Sequence, residues 1–214
     1  MRYIDRLDKP QKLVDNEEKW LAKYLEKRAL SDKVTPHTSQ YGHKEVKETL
    51  ARSSFYKCFY SEVKFADLSE AQVDHYVEVS EDPTKAFEWE NLYLSHKDSN
   101  VGKITNRALP NQDCLDPCTA IDAEIEEHLG FEDEVVIGLT ERGRKTIQKY
   151  HLNKPLYSKL RSTELRKLDK IIRQRALSEL PFDEKFKAKL RIFANPDQAF
   201  SLMFKKLLIE NGLL

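Results

Sequence analysis

Apolar residues in this chain recur mostly with helical period, and the few runs that alternate with period two are short and widely spaced. That pattern admits a mostly α-helical α+β fold with small sheets and disfavours an extensive β architecture. Residues 15–30, DNEEKWLAKYLEKRAL, set Trp20, Leu21, Tyr24, Leu25 and Leu30 on much of one helix face. Further helices are expected over about 43–51 and 120–129, and a long one over about 156–179 carries Leu160, Leu165, Leu168, Ile171, Ile172 and Leu177. Asn195-Pro196 is expected to open a last helix that Gly212 closes. AQVDHYVEV from Ala71, NLYLS from Asn91 and FEDEVVIGL from Phe131 read as strands, and YKCFYSEVKF from Tyr56 as a turn with a short strand. One helical turn is expected after Pro83, and Asp98 or Ser99 is expected to cap a helix through Val101 and Ile104. The expected organisation is a helical region over 1–54, a mixed core over 55–110 and a mostly helical region over 111–214 that forms one compact unit with it.

With 40% hydrophobic residues in 214, the chain can build a real core. No apolar run approaches the roughly 20 residues needed to cross a bilayer, so no membrane association is expected. MRYIDRLDKPQK lacks the apolar stretch of a secretory signal, and the odd set Cys58, Cys114 and Cys118 makes no disulfide framework. A reduced, cytoplasmic protein is the expectation. Net charge is zero, which argues against capture of nucleic acid by bulk electrostatics alone. The charges are nonetheless segregated. Asp113 to Glu141 holds ten acids and no Lys or Arg, whereas Arg142 to Arg175 holds twelve Lys or Arg against Glu164 and Asp169. Such runs are either solvated helix faces or a phosphate-facing arm beside an acidic segment that shields it or docks a partner.

The chemically informative stretch runs from Cys58 to Lys103 and contains KCFYSE, VDHYVE and WENLYLSHKDSNVGK. An Asp-His pair on a strand is by itself usually structural, a lone Asn is most often a turn residue, and a lone Lys is most often on the surface. Here Asp74-His75, Asn91, Asn100 and Lys103 follow one another in an order that resembles the HNH, or ββα-metal, nuclease motif. In that family the Asp-His pair ends the first strand, an Asn follows in the loop, and an Asn or His on the helix completes the site. The resemblance implies a ββα-metal core within the surrounding helices. It assigns His75, Asn91 and Lys103 to catalysis, and Asp74 and Asn100 to one Mg²⁺ or Mn²⁺. The residue types suit hydrolysis of a phosphodiester. Imidazole takes a proton near neutral pH, and carboxylate and carboxamide oxygens are hard ligands for a divalent ion. Asn91 can orient His75 or its loop, and Lys103, three residues after Asn100 on the same helix face, can meet a phosphate.

Many HNH proteins also carry a zinc knuckle of two C-x2-C pairs. The corresponding positions here are Cys58 with Ser61 and His96 with Ser99, and serine is a poor zinc ligand. Structural zinc is therefore expected to be absent, with Phe55, Phe59, Tyr60, Trp89 and Leu92 packing in its stead. LDPC, HLGF, RGRKTI, and LN followed by Arg161 further resemble the downstream half of PtuB-like nucleases, the HNH subunits of Septu-type antiphage systems and some retrons. This likeness covers roughly residues 43–165. It implies a PtuA-like ATPase partner and cleavage of DNA or tRNA held in check until infection. It also leaves room for a retron reverse transcriptase with its RNA–DNA hybrid, and for a homodimer within the complex. The alternative is a non-catalytic subunit that keeps the HNH fold as a docking module. A free-standing nuclease fits poorly with zero net charge and no recognisable DNA-binding appendage. Purified protein should carry less than stoichiometric zinc by elemental analysis; one tightly held zinc per chain would contradict the reading and point to Cys114 or Cys118 as substitute ligands.

Overall fold

The computed structural model describes residues 1–214 and is an α+β fold, mostly helical, with two separate two-stranded antiparallel sheets. In chain order the helices before the first sheet are α1 (Gln11–Val14), α2 (Glu17–Leu30), α3 (Thr38–Tyr41) and α4 (Lys44–Ser53). Strands β1 (Ala71–His75) and β2 (Leu92–His96) form the first hairpin, followed at once by α5 (Lys97–Thr105). Helix α6 (Asp122–His128) leads into the second hairpin, β3 (Leu129–Glu132) and β4 (Val135–Gly138). Helices α7 (Glu141–Lys149), α8 (Pro155–Leu177), α9 (Glu184–Arg191) and α10 (Ser201–Glu210) complete the chain. No helix is long and apolar enough to cross a membrane.

The first hairpin is the hub. Every residue of β2 and all of β1 except Gln72 are buried, because α4 and α5 both pack against it. One contiguous apolar core runs from Met1 and Ile4 through Phe59, Tyr60, Leu92 and Leu94 to Tyr157, Leu168 and Phe204, so the three sequence regions share a single interior. The amino-terminal segment is tied in by Arg6. Its guanidinium lies 4.5 Å from the centroid of the Tyr93 ring and donates to the carbonyls of Trp89 (3.1 Å) and Leu92 (2.8 Å).

Several expected boundaries shift for identifiable reasons. The strand expected over AQVDHYVEV stops at His75. Beyond it the Asn91 side chain takes both backbone polar groups of Val77 and ends the ladder. FEDEVVIGL is not one strand but the end of the first arm, the turn and the second arm of a hairpin that pairs Leu129 with Gly138 and Glu132 with Val135. Its two-residue turn has Asp133 at φ 48°, a conformation Asp tolerates without glycine's help. The cap of α5 is neither Asp98 nor Ser99 but His96, whose Nδ1 accepts the Asp98 N–H at 3.2 Å. The last helix opens at Ser201, not at Asn195-Pro196, because Phe200 sits in the left-handed region at φ 53°. YKCFYSEVKF makes a turn closed by a single Lys57–Lys64 bridge.

The downstream motifs prove to be clamps. Gly143 of RGRKTI lies where a Cβ would collide with the His128 carbonyl, so α7 can press onto the end of α6 only with glycine there. Asn153 exchanges two hydrogen bonds with the Val136 backbone (2.9 and 2.7 Å). Arg161 is 2% exposed and donates to the carbonyls of Glu134 and Leu152 and to Asn153 Oδ1. Most apolar side chains of the final helix face inward as well. Phe200, Leu202, Met203, Phe204 and Leu208 are buried and Ile209 faces out, so α10 packs most of its apolar side chains on the core. Arg161→Met should destabilise the fold by about 3 kcal/mol in urea titration, since it removes a buried guanidinium that the Glu134 and Leu152 carbonyls rely on as donor; a loss under 1 kcal/mol would contradict the clamp.

Candidate active site

Asp74 and His75 are consecutive on β1, so their side chains leave opposite faces of the hairpin. On the Asp74 face lies α5. Gln72 and Asp74 are successive positions of that face, and they take Asn100 and Lys103 from α5. Asn100 Nδ2 donates to Gln72 Oε1 at 3.1 Å, and Lys103 Nζ donates to Asp74 Oδ1 at 2.7 Å and to the His75 carbonyl. Lys103 is 1% exposed and Asp74 6%. Tyr60 completes the carboxylate's shell by donating its hydroxyl to Oδ2 at 3.1 Å. The Tyr60 ring stacks on Tyr150 at 4.1 Å, and burial pushes its hydroxyl well above the usual phenol range, so it remains a donor. Helix α5 approaches closely because Gly102 fits against His151, whose ring a Cβ at that position would strike.

On the other face, the His75 ring packs against Tyr41 of α3, with centroids 4.5 Å apart. Its Nε2 lies 2.9 Å from the Ala86 carbonyl. Burial lowers the His75 pKa from its ordinary value, with the Ala86 carbonyl and Asp74 opposing. A neutral ring that donates from Nε2 keeps its lone pair on Nδ1, which has no protein partner. Asn91 fixes this arrangement at one remove. Its Oδ1 accepts the Val77 N–H at 2.7 Å, and its Nδ2 donates to the carbonyls of Val77 and Lys85, both at 3.0 Å. Lys85 precedes Ala86, so Asn91 holds the loop whose carbonyl orients His75. From below, α2 props the same loop through Trp20 and Tyr24 packed on Ala86 and Phe87.

The hairpin and α5 thus bring all five sequence-predicted residues to one neighbourhood, but not in all the roles expected. Lys103 faces inward to Asp74, because a buried carboxylate draws the nearest cation, and it presents no ammonium to a phosphate at the surface. Asn100 is bonded to Gln72 and has no bond to Asp74, so the two expected metal ligands do not share a contact. No three His, Cys, Asp or Glu side chains gather in a metal-binding arrangement; the hard oxygen donors here are the Asp74 carboxylate, both of whose oxygens accept hydrogen bonds, and Asn100 Oδ1. The zinc positions do not suit zinc, since Ser61 and Ser99 supply hydroxyls where thiolates are needed. The site roles of Tyr41, Tyr60, Gln72 and Ala86 are not apparent in the sequence: only a backbone atom of Ala86 takes part, Tyr60 reads there as a packing residue, and Tyr41 lies outside the motif.

A cleft of about 570 Å³ opens beside Asn100 between α3 and β1, lined by Thr38, Ser39, Tyr41, Lys47 and Gln72 among others. A larger groove of about 610 Å³, between α8 and α10, contains none of the five residues. The basic run is mostly neutralised, in part by the acidic segment itself. Arg142 pairs with Glu124 (2.6 Å), Lys145 with Asp113 (2.8 Å) and Arg144 with Glu141 (3.1 Å). Lys154, Lys167, Arg173 and Arg175 are also paired, and Lys149 and Arg161 are buried, which leaves Lys159, Arg166 and Lys170 without an acidic partner. No protein-family model matches the chain, and no curated protein matches it. Lys103→Met should cost about 3–5 kcal/mol of stability by leaving the buried Asp74 carboxylate unpaired. Adding Asp74→Asn should recover most of that in the same denaturation assay; an additive double variant would contradict the pairing.

Proposed function

We propose that this chain is a metal-dependent HNH-type nuclease that hydrolyses phosphodiester bonds in DNA or tRNA. The observation that carries the reading is the joint placement of Asp74-His75 at the end of one strand, Asn91 at the entry to its partner, and Asn100 and Lys103 on the helix laid across that hairpin. In this reading His75 Nδ1 takes the proton of the attacking water. The Nε2–H bond to Ala86 holds the ring, and Asn91 holds the loop. Asp74 and Asn100 would hold one Mg²⁺ or Mn²⁺, which would supply polarisation of the phosphate and charge for the leaving oxygen. The oxygen donors suit such an ion, and the ammonium already drawn to Asp74 marks a position where positive charge is favoured. An ion there would compete with the Lys103 ammonium for Asp74 Oδ1.

The partner assignment, a PtuA-like ATPase of an antiphage complex, rests on the resemblance of the downstream motifs. Zero net charge supports it, because it gives the chain by itself little bulk attraction for a polyanion. A second reading, a non-catalytic docking subunit, is favoured by one observation: both Asp74 oxygens are already satisfied, by Lys103 and Tyr60.

Copurification with its genomic neighbour, followed by assay on plasmid, single-stranded DNA and tRNA, separates these readings. Cleavage should need Mg²⁺ or Mn²⁺, stop with EDTA, and fall at least a hundredfold in His75→Ala with the fold intact, the order of a general base's contribution. The depressed His75 pKa keeps the base neutral to lower pH, so the acid limb of the rate profile should lie below about 6.5, the value of free histidine. Wild-type cleavage by His75→Ala would remove the catalytic assignment. A complex inert on all three substrates would favour the docking subunit.

A further inference from the structure

Two turns distant in sequence meet at the end of β2. The turn ahead of β1 brings Cys58 and Ser61; the junction of β2 with α5 brings His96 and Ser99. Cys58 Sγ accepts the backbone N–H groups of Ser61 (3.5 Å) and His96 (3.3 Å), and lies 3.8 Å from Ser99 Oγ. Amide groups directed at a cysteine sulfur from a C-x2-x turn and from a facing turn are the surroundings of a thiolate in a tetrahedral metal site. Into the centre of this group comes Tyr157, from the first turn of α8. Its hydroxyl is 2.9 Å from Ser99 Oγ and 3.1 Å from His96 Nδ1. All five residues are buried, Tyr157 and Ser99 completely.

The proton positions follow from the partners. His96 Nδ1 accepts the Asp98 N–H, so that nitrogen carries a lone pair. Tyr157 must therefore donate to His96 and accept from the Ser99 hydroxyl. Ser99 in turn is the acceptor for the Cys58 thiol. The result is a one-way chain, Cys58 to Ser99 to Tyr157 to His96, in which each hydroxyl both gives and receives.

We infer that the Tyr157 hydroxyl occupies the place of a tetrahedral metal ion, so that a hydrogen-bonded cross-link supplied by α8 ties the 58–61 turn to the hairpin and α5. Two consequences follow. The hairpin core needs no zinc, but it depends on a helix some sixty residues downstream. And α8 is coupled to the first turn of α5, since its contact Ser99 adjoins Asn100. The inference concerns packing and stands apart from the nuclease reading.

The test is to rebuild the ion's surroundings and remove the occupant. Ser61→Cys/Ser99→Cys/Tyr157→Ala offers three thiolates and one imidazole around a void. It should bind one Co²⁺ per chain with the visible absorption of tetrahedral thiolate coordination, displaced by Zn²⁺. Wild type, and Ser61→Cys/Ser99→Cys with Tyr157 retained, should show no such band. Absence of the band in the folded triple variant overturns the inference, as does a tetrahedral cobalt spectrum in wild type. If the triple variant does not fold with or without cobalt, Tyr157→Phe decides. Loss of the hydroxyl alone should lower the thermal midpoint by about 5 °C, the size expected for two buried hydrogen bonds in a chain of this length; an unchanged midpoint overturns it.

Discussion

The arrangement of the site depends on one buried ion pair. An isolated carboxylate at the Asp74 position, 6% exposed, would be untenable, and so would an isolated ammonium at Lys103. Together, with Tyr60 on the second carboxylate oxygen and the His75 carbonyl on the ammonium, they satisfy each other and fix α5 across the hairpin. Such pairs rarely add much net stability over apolar packing, but they specify one geometry because any slip leaves a buried charge bare. Here the register of α5 on β1, and with it the position of Asn100 over Gln72, follows from that requirement.

The remaining regions act as supports for this unit. Helix α2 holds the Ala86 loop beneath His75, and Arg6 pins the strand entry at Trp89 and Leu92. Tyr157 reaches in from α8 at the far end of β2. Arg161 and Asn153 lock the second hairpin to the α7–α8 junction. This interdependence explains why a sequence that divides into three compositional regions forms a single core.

Much of this was legible in the sequence where local signals dominate. The period of α2 and α8, the turn at Pro83 and the closing glycine at Gly212, with φ 64°, needed only neighbouring residues. The placement of Asp74 and His75 on a strand and of Asn100 and Lys103 on the helix after its partner strand was legible from local spacing. The failures are where long-range contacts decide. Lys103 reads as a surface lysine until its carboxylate partner, 29 positions earlier, is found buried beside it. The hairpin of β3 and β4 was hidden because its turn uses Asp133 without glycine. The roles of Tyr41 and Tyr60 could not be anticipated, since nothing in their immediate neighbours distinguishes them from ordinary core aromatics.

In the proposed nuclease, a divalent ion held by Asp74 and Asn100 would take the place of the Lys103 charge. The most direct measurement is paramagnetic broadening of backbone amide resonances by substoichiometric Mn²⁺. With an ion at that place, the signals of Asp74, His75, Asn100 and Lys103 should broaden first, and Asp74→Asn should abolish the effect. Broadening confined to exposed acidic positions such as Glu127 and Glu179, with residues 74–75 and 100–103 untouched, would contradict that placement.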